Sequence, residues 1–274
     1  NKFLNILYSI NGDRFEASEY VIDASQDTKD NIYNFLKEAS RAVVIVDCEN
    51  MDPFKFLAAL KSLHEEKLNK IKKIILVNDF NANVAWNYLE ANTGIIVENK
   101  KTERIKDDKS VTDQTLSVIA AKECYKNNTD SLIIASSDSD FLALREIDEA
   151  KFLFLCEREL SAKQFISKLD DLSIPYSFVD DFAQDDAQSY KNKVLYTTLH
   201  GILTEITKEG CLPTTDANEL VNMIFDKIYS TSSRRQLDQE KEVFFKNYIK
   251  PGFTISITND NKFEINLNSK KKPS

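Results

Sequence analysis

Between residues 41 and 182, short apolar runs alternate with stretches of helical periodicity, and this alternation decides the fold class. The runs are Val43-Val44-Ile45-Val46, 73–77, Ile95-Ile96-Val97, Leu132-Ile133-Ile134-Ala135, 152–155 and 176–179. Runs of this length, apolar on both sides of the pleat, read as buried strands. Between them, Phe56, Leu57, Leu60 and Leu63 share a helical face, as do Leu116, Ile119 and Ala120. Phe141, Leu144 and Ile147 mark another helix, and Phe165 and Leu169 a further one. Trp86 and Leu89 sit on a helix too, with Trp86 expected in the core and only secondarily a stacking surface, with Tyr88, for a base. Strands alternating with helices give a parallel-sheet α/β/α sandwich. Local signals set the helix starts: Asp52-Pro53 is an N-cap with a first-turn proline, and Ser161 is a cap candidate. Thr112 or Asp113 is a candidate for a third cap, and Ser137 or Ser139 for a fourth.

The chain has 274 residues, more than one small domain needs. Residues 1–40 read as an N-terminal extension, with a short strand at Tyr20-Val21-Ile22 and a helix over 29–39. The α/β domain occupies 41–184, and the polar stretch 184–188 marks its end. Beyond it, helices are expected over 190–208, from Thr215-Asp216 onward, and over 235–249. Two alternating runs, 253–258 and 262–267, then flank Asn259-Asp260-Asn261, a hairpin signal. Three helices and a hairpin over 188–274 outline a winged-helix-like domain. Arg234, Arg235 and Lys241 mix with Asp238, Glu240 and Glu242 there, so no clean basic face emerges. A protein partner, self-association or substrate selection is expected of it.

The net charge of −8 argues against broad, non-specific DNA coating. Cys48, Cys124, Cys156 and Cys211 are widely spaced, and His64 and His200 are isolated, so a Cys/His zinc site is excluded. Separated thiols suit a reducing, cytoplasmic setting. No apolar stretch approaches the roughly 20 residues that cross a bilayer, so no membrane partner is expected.

Two of the runs end in acids. Asp47-Cys48-Glu49-Asn50 follows the first, and Ser136-Ser137-Asp138-Ser139-Asp140-Phe141 follows the fourth. The carboxyl ends of parallel strands are where ligands bind. Asp113 lies three residues before Leu116, on the inward face near a helix N-terminus, where a carboxylate is favoured. Any one of these acids alone reads as a cap. Asp47, Asp113, Asp138 and Asp140 together crowd one edge, and a divalent cation relieves their repulsion. Asn50 can hold its loop or contact a phosphate. The loop 100–106, with Lys101 and Arg104, reads equally as a phosphate contact or a solvated charged loop.

These residues resemble the NYN domains of the PIN-like nuclease group. Asp47-Cys48-Glu49-Asn50 looks like the family's D-x-x-N opening, and Lys109-Ser110-Val111-Thr112-Asp113 like its K-x-x-x-D helix start. Ser-Ser-Asp-Ser-Asp-Phe over 136–141 resembles its most recognisable motif, and the likeness covers about 41–182. The resemblance implies a Mg²⁺- or Mn²⁺-dependent endoribonuclease acting on RNA. Asp47, Asp113, Asp138 and Asp140 would ligate the metal directly or through water, and Ser136, Ser137 and Asn50 would position ligands or substrate. Lys101, Arg104 and Lys109 would contact the RNA. All-oxygen ligands suit such hard cations. The chain departs from the family at Cys48, often Gly, and at Ser117-Val118-Ile119-Ala120, where members often carry another acid. That absence motivates the alternative of a catalytically inactive NYN-like module binding RNA or protein. A haloacid-dehalogenase phosphatase ranks low, because its D-x-D signature is broken by Glu49.

Overall fold

The computed structural model describes residues 26–78, 85–102, 111–182, 187–195 and 217–228, with shorter pieces at 197–198, 201, 241–242, 244, 253–257 and 263–267. The expected strand at 20–22 and the bulk of the helix over 235–249 lie outside these residues. The chain forms two compact units, one of residues 17–191 and one of 192–274 with 1–16.

The first unit is built on six parallel strands: β1 (Ala42–Asp47), β2 (Ile71–Asn78), β3 (Ile96–Lys101), β4 (Ser131–Ala135), β5 (Lys151–Cys156) and β6 (Tyr176–Phe178). Their order is β3-β2-β1-β4-β5-β6. β1 and β4 are buried along their whole length, as central strands covered on both faces must be. Alternate residues feed opposite layers. Val44, Val46, Ile74, Leu76, Ile133 and Leu153 pack into one core, with α1 (Gln26–Glu38) and α2 (Pro53–Lys61). Val43, Ile45, Ile75, Leu132, Ile134 and Phe154 pack into the other. That layer is completed by α5 (Thr112–Asn127), a 3₁₀ helix (Ser139–Glu146) and α6 (Lys163–Asp171). Two shorter helices, α3 (Glu65–Leu68) and α4 (Tyr88–Thr93), complete the α/β sandwich. Gly94 ends α4 at φ +69°, the left-handed conformation that costs glycine least.

Helix α1 belongs to this unit: Ile32, Tyr33, Phe35 and Leu36 are buried in the first core layer. Trp86 is 2 % exposed, with its ring 6.0 Å from Phe56, so it is a core residue. Asp52 caps α2 as its sequence predicts, accepting from the N–H groups of Phe54 at 2.8 Å and Lys55 at 2.9 Å. Ser161 does not cap α6. Ala162 holds that position, and the Ser161 hydroxyl donates to the Glu157 carbonyl at 2.7 Å. The segment after β4 is a 3₁₀ helix rather than an α-helix, and its cap is Asp138 rather than a serine.

In the second unit, α7 (Ala217–Ile228) buries Val221, Ile224, Phe225 and Ile228. The Phe225 and Phe244 rings meet edge-on at 5.8 Å. β7 (Phe253–Ile257) pairs antiparallel with β8 (Phe263–Leu267), the hairpin that the alternating runs predict. Among the described residues, no helix is long and apolar enough to cross a membrane.

Candidate metal centre

The chain leaves β1 toward β2 on one side of the sheet and β4 toward β5 on the other. The gap between β1 and β4 is therefore the topological switch point, where a crevice opens at the carboxyl ends of the strands. Asp47 ends β1, and Val46 pairs with Ala135 across to β4, so Asp47 and Ser136 emerge side by side. Asp47 is 1 % exposed. Its carboxylate accepts from Asn50 Nδ2 at 2.8 Å, Ser136 Oγ at 2.9 Å and the Glu49 N–H at 3.2 Å. Burial pushes its carboxyl group above the usual range, these three donors pull it back, and the charge of Asp113 adds to the rise.

Ser136 Oγ also accepts the Asp138 N–H at 3.1 Å, so one buried hydroxyl ties the end of β1 to the turn after β4. Asp138 in turn accepts the Asp140 N–H at 2.9 Å and caps the 3₁₀ helix. That tight turn presents Asp138 and Asp140 together. Asp113, in the first turn of α5, completes the group: carboxylate oxygens of Asp113, Asp138 and Asp140 lie within 4.8 Å of one another. Asp113 and Asp138 are half-buried and Asp140 is exposed, so the group opens to solvent. Burial raises the Asp113 carboxyl, and the charges of Asp138 and Asp140 raise it further. This is what crowded acids do without a cation among them.

The sequence-predicted residues divide accordingly. Three of the four acids converge, while Asp47 stands outside that group with its carboxylate taken up by Asn50, Ser136 and the Glu49 amide. Asn50 holds its own loop through Asp47. Ser137 turns away: its hydroxyl accepts the Glu157 N–H at 2.8 Å and donates to the Glu157 carbonyl at 3.3 Å, joining the ends of β4 and β5. Lys101 ends β3 and is exposed. Arg104 and Lys109 lie outside the described residues. The Ser117 hydroxyl bonds back to the Asp113 carbonyl at 2.9 Å.

Sequence reasoning passed over the polar ring beside these acids. Glu157 follows an apolar run just as Asp47 does. Its buried carboxylate accepts the Asp52 N–H and pairs with Lys55 at 3.2 Å, and Lys55 reaches Asp180 at 2.7 Å. Glu49, Thr102 and Thr112 form a second chain, with Thr112 Oγ1 at 3.2 Å from both Glu49 Oε1 and Thr102 Oγ1. The sequence signal for Glu157 was the acid after a strand. For Glu49 and the threonines there was none, because the contacts join residues as much as 63 positions apart.

No curated protein matches the sequence. Among solved structures, a protein of unknown function from Vibrio parahaemolyticus is 15 % identical at a TM-score of 0.38, over 53 % of this chain and 96 % of that one. The catalytic subunit of aspartate transcarbamoylase from M. jannaschii is 12 % identical at a TM-score of 0.20, over 58 % of this chain and 66 % of that one. The family model of the NYN domain matches residues 34–174. That span is just over half of the 274 residues and holds the whole acidic group, and the chain belongs to the NYN domain family.

Proposed function

We propose that this protein is a Mg²⁺- or Mn²⁺-dependent endoribonuclease. The observation that carries the reading is the convergence of Asp113, Asp138 and Asp140 within 4.8 Å at the switch point of a domain from a nuclease superfamily. The donor set fits the ion. All three groups are carboxylates, the ligands of hard cations rather than of zinc. A bound ion supplies charge neutralisation at the scissile phosphate and a more acidic water.

The chain's own residues do the rest. Asp113 approaches from α5, and Asp138 and Asp140 from the turn after β4. Asp47 holds the Asp138 turn through Ser136 and would reach a bound ion through water. Of the two histidines, His64 stacks on Tyr33 at 5.6 Å and His200 lies outside the described residues. Proton handling at this centre is proposed to fall to carboxyl groups and water. Lys101, Arg104 and Lys109 are proposed to contact RNA phosphates, which an acidic protein needs close to its site. The C-terminal unit is proposed as a surface for a protein partner or a second copy, and the setting as cytoplasmic.

With mixed RNA and Mn²⁺, cleavage is expected to disappear with EDTA and to fall at least about 100-fold in Asp113→Asn and in Asp138→Asn. Wild-type rates in both variants would overturn the assignment. The absence of an acid over Ser117-Val118-Ile119-Ala120 favours one second reading, an inactive module that binds RNA or protein. RNA binding unaffected by EDTA, with no cut in any RNA pool, would support that reading instead.

A further inference from the structure

The start of α5 is held in an unusual way. Its N-cap position is Val111, and no side chain caps the helix there. Thr112, the first helical residue, is 1 % exposed, and its hydroxyl reaches across to other elements. It donates to Glu49 Oε1 at 3.2 Å, from the loop after β1, and meets Thr102 Oγ1 at 3.2 Å, just beyond β3. Thr102 is 4 % exposed and is fixed by its own N–H, which donates to the Asn78 carbonyl at the end of β2 at 2.7 Å. One chain of hydroxyls ending on a carboxylate thus ties the ends of three strands to the residue before Asp113.

A side-chain cap is normally worth about 1 kcal/mol to a helix start. Here that local contact is replaced by a tertiary one, at the turn where local fraying would do most harm. Asp113 stands among Asp138 and Asp140, and like charges push this turn outward whenever no cation lies between them. Glu49 also touches the other half of the site, since its N–H donates to Asp47. Glu49 thus touches both Asp47 and the start of α5.

We infer that Glu49 is a positioning residue: through the hydroxyls of Thr112 and Thr102 it locks the first turn of α5, and so keeps Asp113 within ligand distance of Asp138 and Asp140. The inference rests on the metal-site reading above, but its first readout does not. In the whole protein without metal, Glu49→Ala and Thr112→Val should each speed hydrogen exchange at the Thr115 and Leu116 amides about ten-fold or more, the strength of a hydrogen bond to a charged group. Amides of β1 and β4 should not change. Calorimetric titration with Mn²⁺ should show affinity about ten-fold weaker in each variant, and the double variant no weaker than either single one, because both remove the same bond. Glu49→Gln and Thr112→Ser, which keep an acceptor and a hydroxyl, should restore both readouts to within about two-fold. Unchanged exchange in Glu49→Ala would overturn the inference. So would a Glu49→Gln that binds Mn²⁺ as poorly as Glu49→Ala, because the carboxylate would then be acting as a ligand. If the wild type takes up no Mn²⁺ at all, the nuclease reading falls, and the exchange result still decides whether Glu49 holds the helix.

Discussion

Asp47 shows how a carboxylate outside the acidic group is tied to it. It is buried, and it is tolerable there because three donors meet it. Two of them, Asn50 and the Glu49 amide, come from its own loop, but the Ser136 hydroxyl comes from the neighbouring strand. Ser136 is fully buried and works in both directions, donating to Asp47 and accepting from the Asp138 amide. Ser136→Ala therefore leaves two buried polar groups each short of a partner. It is expected to cost about 1–3 kcal/mol in urea unfolding. It should also weaken Mn²⁺ binding, because the Asp138 turn loses its anchor. A variant as stable as the wild type would show that water replaces the hydroxyl at no cost.

The elements were legible where periodicity alone decides. The buried strands β1 and β4 and the helices carrying Phe56, Leu116 and Phe165 follow from apolar spacing, since a strand covered on both faces has no room for a polar residue. The acids at the ends of β1 and β4 were legible for the same reason: they mark where the apolar run stops. At the sheet edge β3 runs on through Glu98, Asn99, Lys100 and Lys101, where the sequence predicts a charged loop, because an exposed edge strand tolerates polar side chains. What sequence could not show is which hydroxyl goes where. Ser161 and Thr112 both look like caps, and both are drawn away, one by the Glu157 carbonyl and one by Glu49. The Thr112 partner lies 63 positions away, which the chain order does not reveal, while the Ser161 hydroxyl turns back to a carbonyl four residues earlier. Asp130 is a further case. It precedes β4 and accepts the Ser40 N–H at 3.0 Å and the Arg41 N–H at 3.1 Å, which fastens the link between α1 and β1 to the sheet. Burial alone would raise its carboxyl, but the amides of Arg41 and Ser40, with the Ser131 hydroxyl, outweigh it and leave it below the ordinary value. A depressed carboxylate contributes stability above its unfolded value, near pH 4, and loses it as pH falls through the folded value. Asp130→Asn, which loses one of the two acceptor oxygens, should thus lower stability at pH 7 by up to about 1 kcal/mol. The gap from the wild type should close as the pH drops below about 4. A gap that stays constant down to pH 2 would mean the charge plays no part.

At the scale of the whole molecule, a site made of mutually repelling acids pulls against the fold that carries it. Asp113, Asp138 and Asp140 stand close in a protein whose net charge is already −8, so the metal-free domain stores repulsion that the unfolded chain does not feel. Two opposite effects follow for unfolding by heat. An ion that binds only the folded domain adds about 2.7 kcal/mol at 100 times its Kd. For a unit of residues 17–191, that corresponds to a rise of about 5–10 °C. Removing an acid does the reverse of what core mutations do: Asp138→Asn should leave the EDTA-treated domain as stable as the wild type or more so, because repulsion falls while Asn can still accept the Asp140 amide. It should also abolish the Mn²⁺-dependent rise. The pair of results matters more than either one. A rise that survives in Asp138→Asn would place the ion elsewhere, and a loss of stability in EDTA would mean that Asp138 serves the fold as a cap before it serves the site. Only a variant that is stable without metal and unresponsive to it marks the group as one kept for chemistry at the expense of stability.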